Sequence, residues 1–302
     1  MSEFITALKN PDMLFLRYAL IAGLLASVSF GIMGTYVVVR RISYIAGAIS
    51  HCVLGGIGVA LYLQHAMGYR WCTPLLGAFC SALMAALIIG IVAIKAKQRE
   101  DTVIGAIWST GMAIGLLFIA RTPGYLDPMN YLFGNILLIT KNDVWLIAML
   151  DVVIVFLGLF FYNKFLAVCF DEEFAKTRNV RVEFYYILLL CMTALTVFLL
   201  VRLVGIIMVI ALLTLPVAIA GFFSRHLWQM MITAIAVCMI FITLGLGISY
   251  SKDLPTGPTI IILAAAVYLC IVLASRIISY IRSTMESKNP ADKKTNAQNN
   301  GL

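Results

Sequence analysis

Long apolar stretches alternate with short polar connections along nearly the whole chain. Each stretch is close to the ~20 residues that an α-helix needs to cross a bilayer. There are nine, at residues 14–39, 43–64, 73–94, 102–120, 143–165, 184–201, 203–223, 227–249 and 258–281. Arg202 alone separates the sixth stretch from the seventh, so a count of eight stays open. The pattern predicts an all-α, polytopic membrane bundle with residues 14–283 as its membrane domain.

Composition and charge narrow this class further. The 302-residue chain is 62% hydrophobic and 12% charged, whereas soluble domains are about half apolar and about a quarter charged. Lipid must therefore solvate much of the surface. The net charge of +8 comes from basic residues between the apolar stretches, which fits membrane topology better than nucleic-acid binding. Seven irregularly spaced cysteines without a CxxC pair predict no disulfide framework.

Lysine and arginine positions predict the orientation of the chain. With the N-terminus outside and nine crossings, fifteen of the 22 basic residues fall inside and seven outside. The positive-inside rule favours this arrangement over its inverse. Residues 1–13 then form an extracytoplasmic segment, and the polar residues 284–302 form a disordered cytoplasmic tail.

One outside connection is too long for a simple turn. Between Arg121 and Asn142 it contains prolines, glycines and the apolar run from Tyr131 to Leu137. That run is too short to cross a bilayer, so we expect a re-entrant or interfacial segment packed on protein.

The inside connection after residue 170 has an ordered charge pattern. Acidic residues open it and basic residues close it, which complements a helix dipole. Asp171 is a candidate N-cap, and Asn179 can take the left-handed conformation that ends a helix. We expect a short cytoplasmic helix that either docks a soluble partner or lies solvated at the interface. Its residues are Asp171, Glu172, Glu173, Phe174, Ala175, Lys176, Arg178 and Asn179.

One histidine lies deep in the second stretch. His51 is about eight residues, or ~12 Å, from the predicted cytoplasmic start, which places it near mid-bilayer. An ionisable group at that depth usually faces a polar cavity or a partner, and imidazole is a common transition-metal ligand. The alternative is a packing histidine bonded to a backbone carbonyl. Ser50 and Cys52 are weaker candidate ligands beside it.

Other polar or small residues mark further positions in the spans. Asp151 lies at a similar depth in the fifth stretch, where we favour a hydrogen bond between helices over a role in a pathway. Glycines that permit close helix packing are Gly55, Gly56, Gly58, Gly111 and Gly115, the last two in a GxxxG pattern. Pro216 removes one backbone hydrogen bond of the seventh stretch and predicts a kink.

Several enzyme motifs are absent from the sequence. It contains no GxxxxGK[ST] phosphate loop and no HExxH pair. The loops between the stretches are too short for a catalytic domain. We expect a transporter subunit that is not an enzyme and has no ATPase site of its own.

Six segments, in order and at family spacing, resemble the permease subunit of bacterial ABC transporters for zinc, manganese and iron. They are residues 49–56, 99–105, 132–137, 171–180, 204–218 and 253–257, and the resemblance extends over about residues 14–283. It implies a protein of the bacterial cytoplasmic (inner) membrane that imports a divalent transition-metal cation and holds no tightly bound cofactor.

The resemblance also implies partners and residue roles. The partners are two cytoplasmic ATP-binding-cassette ATPase subunits, a second copy of the chain or a sister permease, an extracytoplasmic metal-binding protein and lipid, with no nucleic acid. By resemblance, residues 171–180 are the coupling helix that fits the ATPase. His51 of each subunit would face a path along the dimer axis.

One position departs from the family pattern. The family usually has an aspartate four residues before this histidine, and here that residue is Gly47. A site at His51 would then need a second His51, water, Cys52, Ser50 or an acid from another span. Two other transport classes stay open: an ABC permease for a metal chelate or vitamin-like ligand, and an ion-coupled carrier whose mid-membrane acid would be Asp151.

Overall fold

The architecture is helical throughout the residues that the computed structural model describes, which are 2–10, 13–95, 100–124, 132, 134, 136 and 139–288. The helices of this part of the chain are α1 (Ser2–Lys9), α2 (Leu14–Val39), α3 (Ser43–His65), α4 (Pro74–Lys95), α5 (Glu100–Arg121), α6 (Lys141–Phe160), α7 (Tyr162–Phe170), α8 (Glu172–Thr177), α9 (Val182–Val204), α10 (Ile206–Phe223), α11 (Leu227–Lys252) and α12 (Thr256–Lys288).

Nine of these described helices, α2 to α6 and α9 to α12, are long and apolar enough to cross a membrane. This confirms the all-α class and the predicted number of spans. The prediction of one helix over 143–165 was wrong, because α6 ends at Phe160 and α7 begins at Tyr162. Phe161, with φ −96° and ψ 15°, caps both helices. No proline stands at this break and the nearest glycine is Gly158, so the usual helix-breaking residues do not mark it.

The chain forms two compact units, Met1–Ala264 and Ala265–Leu302. The first contains α1 to α11 and the start of α12. The second contains the rest of α12, which continues to Lys288 because no glycine or proline interrupts residues 284–289. The first five residues of the predicted tail are therefore helical, and residues 289–302 lie outside the described residues.

Contacts at one end of α2 establish the relative direction of α9 and α10. The Arg40 guanidinium, just after α2, lies 5.6 Å from the centre of the Tyr186 ring near the start of α9. Val38 packs against the cluster that contains Val217, near the end of α10. Since α9 begins where α10 ends, the two helices run antiparallel and are separate crossings. Gly205 alone joins them, with a φ of 82° that favours glycine.

α2 and α3 form the centre of the first unit. They are the most buried spans, whereas α5 and α6 leave most of their surface exposed. α2 packs against α6, α10 and α11, and α3 packs between α4 and α5. This arrangement places the predicted mid-membrane histidine in one of the two most enclosed helices.

Glycines bring α3 close to both of its neighbours. A Cβ built on Gly55 would lie 2.8 Å from the Gly111 carbonyl oxygen, and one built on Gly58 would lie 2.5 Å from the Gly115 carbonyl oxygen. On the side facing α4, a Cβ on Gly56 would overlap the Gly77 backbone. Side chains larger than hydrogen at these positions would push the helices apart.

Candidate functional site

His51 lies on the face of α3 that packs against α5. Its ring stacks on the indole of Trp108, with centroids 4.6 Å apart and planes 24° apart. Only 8% of the residue is exposed. The Nδ1 atom is buried and has no hydrogen-bond partner within the described part of the chain. Buried polar atoms are normally hydrogen-bonded, so this nitrogen is an exception that calls for an explanation.

The two residues beside His51 are engaged with the backbone. The Ser50 hydroxyl donates a hydrogen bond to the Gly47 carbonyl at 2.7 Å. The Cys52 thiol donates to the Ile107 carbonyl of α5 at 3.4 Å. Either side chain would have to give up this bond to reorient toward a cation, whereas Nδ1 of His51 would give up none.

Asp151 lies at a different helix interface. It is buried on α6, where the Ser29 hydroxyl of α2 donates a hydrogen bond to Oδ1. Oδ2 is buried and has no partner among the residues described. Over the same residues, no group of three or more His, Cys, Asp or Glu side chains is placed to hold a metal ion. Asp151 therefore faces α2, while His51 faces α5.

Trp108 is a site residue that the sequence patterns did not single out. A Cβ built on Gly47 would lie 2.7 and 2.9 Å from two atoms of the Trp108 ring and 3.3 Å from Ile210 Cδ1. The indole thus occupies the space where a side chain at position 47 would stand. A partial signal is present in the sequence, because His51 lies four residues from both Gly47 and Gly55, on one helix face. That pattern leaves room for a bulky neighbour without identifying it.

The short helix predicted for the inside connection is α8, and both of its ends have the caps that the sequence predicts. Asp171 Oδ1 accepts a hydrogen bond from the Phe174 amide at 2.9 Å. Asn179 takes a left-handed conformation, with φ 56°. The Val180 amide then donates to the Ala175 carbonyl at 3.1 Å, which closes the C-terminal end.

Arg40 ties α8 to the bundle. Its guanidinium forms a salt bridge with Glu172 of α8, and Ala175 of the same helix is fully buried. Burial raises the pKa of the Cys169 thiol at the end of α7 to about 11, while the nearby Arg40 charge acts in the opposite direction. Phe174, the residue before Ala175, is 54% exposed. The other predicted residues of this segment, Glu173, Lys176 and Arg178, are exposed as well.

Two of the described positions in the long connection predicted to lie outside pack against protein. A Cβ on Gly134, whose φ is 62°, would overlap the backbone at Gly205. Ile136 is buried, with its Cδ1 3.8 Å from a Cβ built on Gly23 of α2. Residues 131, 133, 135 and 137 of this run lie outside the described residues, as does Arg99. Pro216 lies inside α10, which is helical on both sides of it, and the kink stays a prediction.

Among the described residues there are nine candidate spans, with an enclosed imidazole in one of them and a capped helix between two others. These features define a polytopic helical membrane protein. Residues 12–275 match the family model described as the ABC 3 transport family. The chain belongs to this family.

Named relatives are similar over most of the chain. A probable metal transport system membrane protein of Chlamydia trachomatis is 39% identical over 284 residues, which is 94% of this chain and 95% of the relative. The manganese transport system membrane protein MntC of Listeria monocytogenes is 31% identical over 255 residues, covering 84% and 88%.

Solved structures share the fold. PsaBC from Streptococcus pneumoniae, determined in complex with a Fab, matches with a TM-score of 0.77 and 30% identity, over 89% of this chain and 94% of that one. An inward-facing putative metal-chelate type ABC transporter matches with a TM-score of 0.64 at 13% identity, which shows a common fold alone.

Proposed function

We propose that this chain is the membrane permease of an ATP-binding-cassette importer for a divalent transition-metal cation. The observation that carries the proposal is similarity over 84% and 94% of the chain to proteins named as manganese or metal transport system membrane proteins. The enclosed imidazole of His51, with a buried nitrogen that has no partner among the described residues, supports it. Imidazole suits transition metals, whereas Mg²⁺ and Ca²⁺ prefer oxygen ligands.

Other subunits supply energy and cargo under this proposal. Two separate ATPase subunits hydrolyse ATP, since the chain has no phosphate loop. A second copy of the chain or a sister permease completes the path, and an extracytoplasmic metal-binding protein delivers the cation. The N-terminus is outside and the Arg40 end is cytoplasmic, as the distribution of basic residues favours.

The salt bridge between Arg40 and Glu172 could transmit a movement of α8 to the membrane-spanning helices. Phe174 on the exposed side of α8 is the proposed ATPase contact. When the ATPase subunits close, α8 would move, and the salt bridge from Glu172 to Arg40 would carry that displacement to α2. Because α2 packs against α6, α10 and α11, its movement would rearrange the first unit around the path.

Uptake into sealed vesicles tests the transport proposal. Vesicles containing this chain, its ATPase and its binding protein should accumulate radiolabelled Mn²⁺, Zn²⁺ or Fe²⁺ only when ATP is supplied on the ATPase side. Uptake without ATP would indicate an ion-coupled carrier and overturn the proposal. Uptake of a chelate in preference to every free cation would overturn it in favour of a chelate permease.

A pair of histidine variants tests the site. His51→Ala should reduce uptake strongly, because it removes the enclosed imidazole. His65→Ala is the matched control at the end of the same helix, where the ring contacts the Leu61 carbonyl at 3.1 Å. Equal uptake by the two variants would remove His51 from the path.

Variants of α8 test docking and orientation together. Phe174→Asp should abolish co-purification of the ATPase, whereas Phe174→Leu should retain it. In a chain without the exposed Cys80 and Cys270, Phe174→Cys should react with an impermeant maleimide only from the cytoplasmic side. Labelling from outside would invert the proposed topology.

A further inference from the structure

The positions four residues before and four residues after His51 on α3 carry no side chain. Gly47 precedes the histidine by four residues, and Gly55 follows it by four. α5 fills both places, with the Trp108 ring beside Gly47 and the Gly111 carbonyl 2.8 Å from a Cβ built on Gly55. Neither of these two positions can therefore supply a ligand side chain beside the imidazole. The Cys52 thiol also faces α5, but it is bonded to the Ile107 carbonyl.

We propose that Trp108 is a specificity-determining residue for the transported cation. Its indole covers the His51 ring and fills the space at Gly47, so a cation that reaches the imidazole finds no second ligand at position 47. This inference rests on the proposed function and adds the residue that sets selectivity.

The chemistry of the indole explains how Trp108 would favour transition-metal cations over Mg²⁺. Indole has one N–H donor and no lone pair that can bind a cation, so it closes space without contributing a ligand. The cation gains one imidazole and completes its coordination with water or with groups of a second chain. Mg²⁺ gives up its waters reluctantly and prefers oxygen ligands. A covered, single-imidazole position therefore favours transition metals that exchange water for nitrogen.

The fluorescence of Trp108 can report on a cation bound at the adjacent His51. The other three tryptophans, Trp71, Trp145 and Trp228, are 70%, 69% and 53% exposed, so each can be replaced by phenylalanine with little loss of buried contact. Trp108 is then the sole tryptophan of this chain, with its ring centroid 4.6 Å from that of the imidazole. The probe uses the full-length chain assembled with its ATPase subunits in lipid nanodiscs.

Co²⁺, a paramagnetic cation, should quench Trp108 emission with a saturable dependence on concentration. His51→Phe is the matched control, because it keeps a ring for stacking and removes the ligand nitrogens. In that variant only weak, linear collisional quenching should remain. Identical quenching in both chains, or no quenching at Co²⁺ concentrations that saturate uptake, would overturn the inference.

Competition between cations tests selectivity directly. Trp108→Ala should make Mn²⁺ uptake about tenfold more sensitive to Mg²⁺, the order of discrimination expected from one well-placed contact. Trp108→Phe should recover much of that loss, because a ring again covers the histidine. Trp145→Ala, an exposed tryptophan of α6, should leave Mg²⁺ sensitivity as it is.

The outcomes separate this inference from the proposed function. Failure of the unaltered chain to take up any cation would reject both. ATP-dependent uptake with unchanged Mg²⁺ sensitivity in Trp108→Ala would reject only the role of Trp108. If Trp108→Ala does not assemble, the same Mg²⁺ competition is measured with Trp108→Leu, and unchanged Mg²⁺ sensitivity in that variant would likewise reject the role of Trp108.

Discussion

Replacing Gly115 of α5 with alanine should lower thermal stability, because its Cβ has no room against α3. A Cβ at this position would lie 2.7 Å from the Leu54 carbonyl oxygen, and ordinary contacts begin near 3.4 Å, so α5 must retreat by about 0.7 Å. A gap of that size removes about a quarter to a half of the dispersion energy of the contacts that it opens. Overpacking of this kind costs about 1–3 kcal/mol.

Gly105→Ala is the matched control within the same helix. A Cβ on Gly105 has no described heavy atom within 4 Å. Alanine favours the helix over glycine by up to about 1 kcal/mol, and that gain applies to both variants. The difference between the two variants therefore isolates the packing cost at the α3–α5 contact.

Apparent melting temperature is the measurement, taken in one detergent and at one scan rate because unfolding of such proteins is often irreversible. At about 2–4 °C per kcal/mol, Gly115→Ala should melt about 2–12 °C below Gly105→Ala. If the two variants melt within about 1 °C of each other, the close approach of α3 and α5 that encloses His51 is not as tight as described.

Three further variants test other contacts. Arg40→Ala removes a half-exposed salt bridge and a cation–π contact, so the free energy of unfolding should fall by about 1–2 kcal/mol. The double charge reversal Arg40→Glu with Glu172→Arg should be more stable than either single reversal. Asp171→Ala removes the N-cap of α8, which stabilises the helix by about 1 kcal/mol. Hydrogen exchange at the Phe174 amide should therefore be faster in Asp171→Ala, whereas Glu173→Ala should leave it unchanged. Ser29→Ala leaves both Asp151 oxygens without a partner in the described contacts and should cost about 1–3 kcal/mol, more than the near-isosteric Asp151→Asn.

The helix pattern could be predicted from the sequence because it depends on local chemistry. Apolar runs bounded by basic residues give the spans, and the ends of α8 follow from Asp171 and Asn179, whose side chain and backbone preferences act within a few residues. The break at Phe161 could not be predicted, since it contains no proline or glycine and the polar Asn163 and Lys164 come only after it.

The environment of His51 depends on contacts between distant parts of the chain. Trp108 is 57 residues away in the sequence, and only the close packing of two glycine-bearing helices brings it to the imidazole. The same holds for Ser29 with Asp151 and for Arg40 with Glu172. Periodicity indicates that a helix has an inward face, but it does not specify which side chain of another helix meets it.

The capping of α8 at both ends has a consequence for the binding of a partner protein to this helix. A six-residue helix would not be stable in isolation, yet here its caps, its buried alanine and its salt bridge form within the chain itself. Ordering a residue costs about 1–2 kcal/mol, so for six residues about 6–12 kcal/mol of conformational entropy is already spent on folding. A partner that binds this face meets a preformed surface, and almost none of its binding free energy is consumed in making the helix.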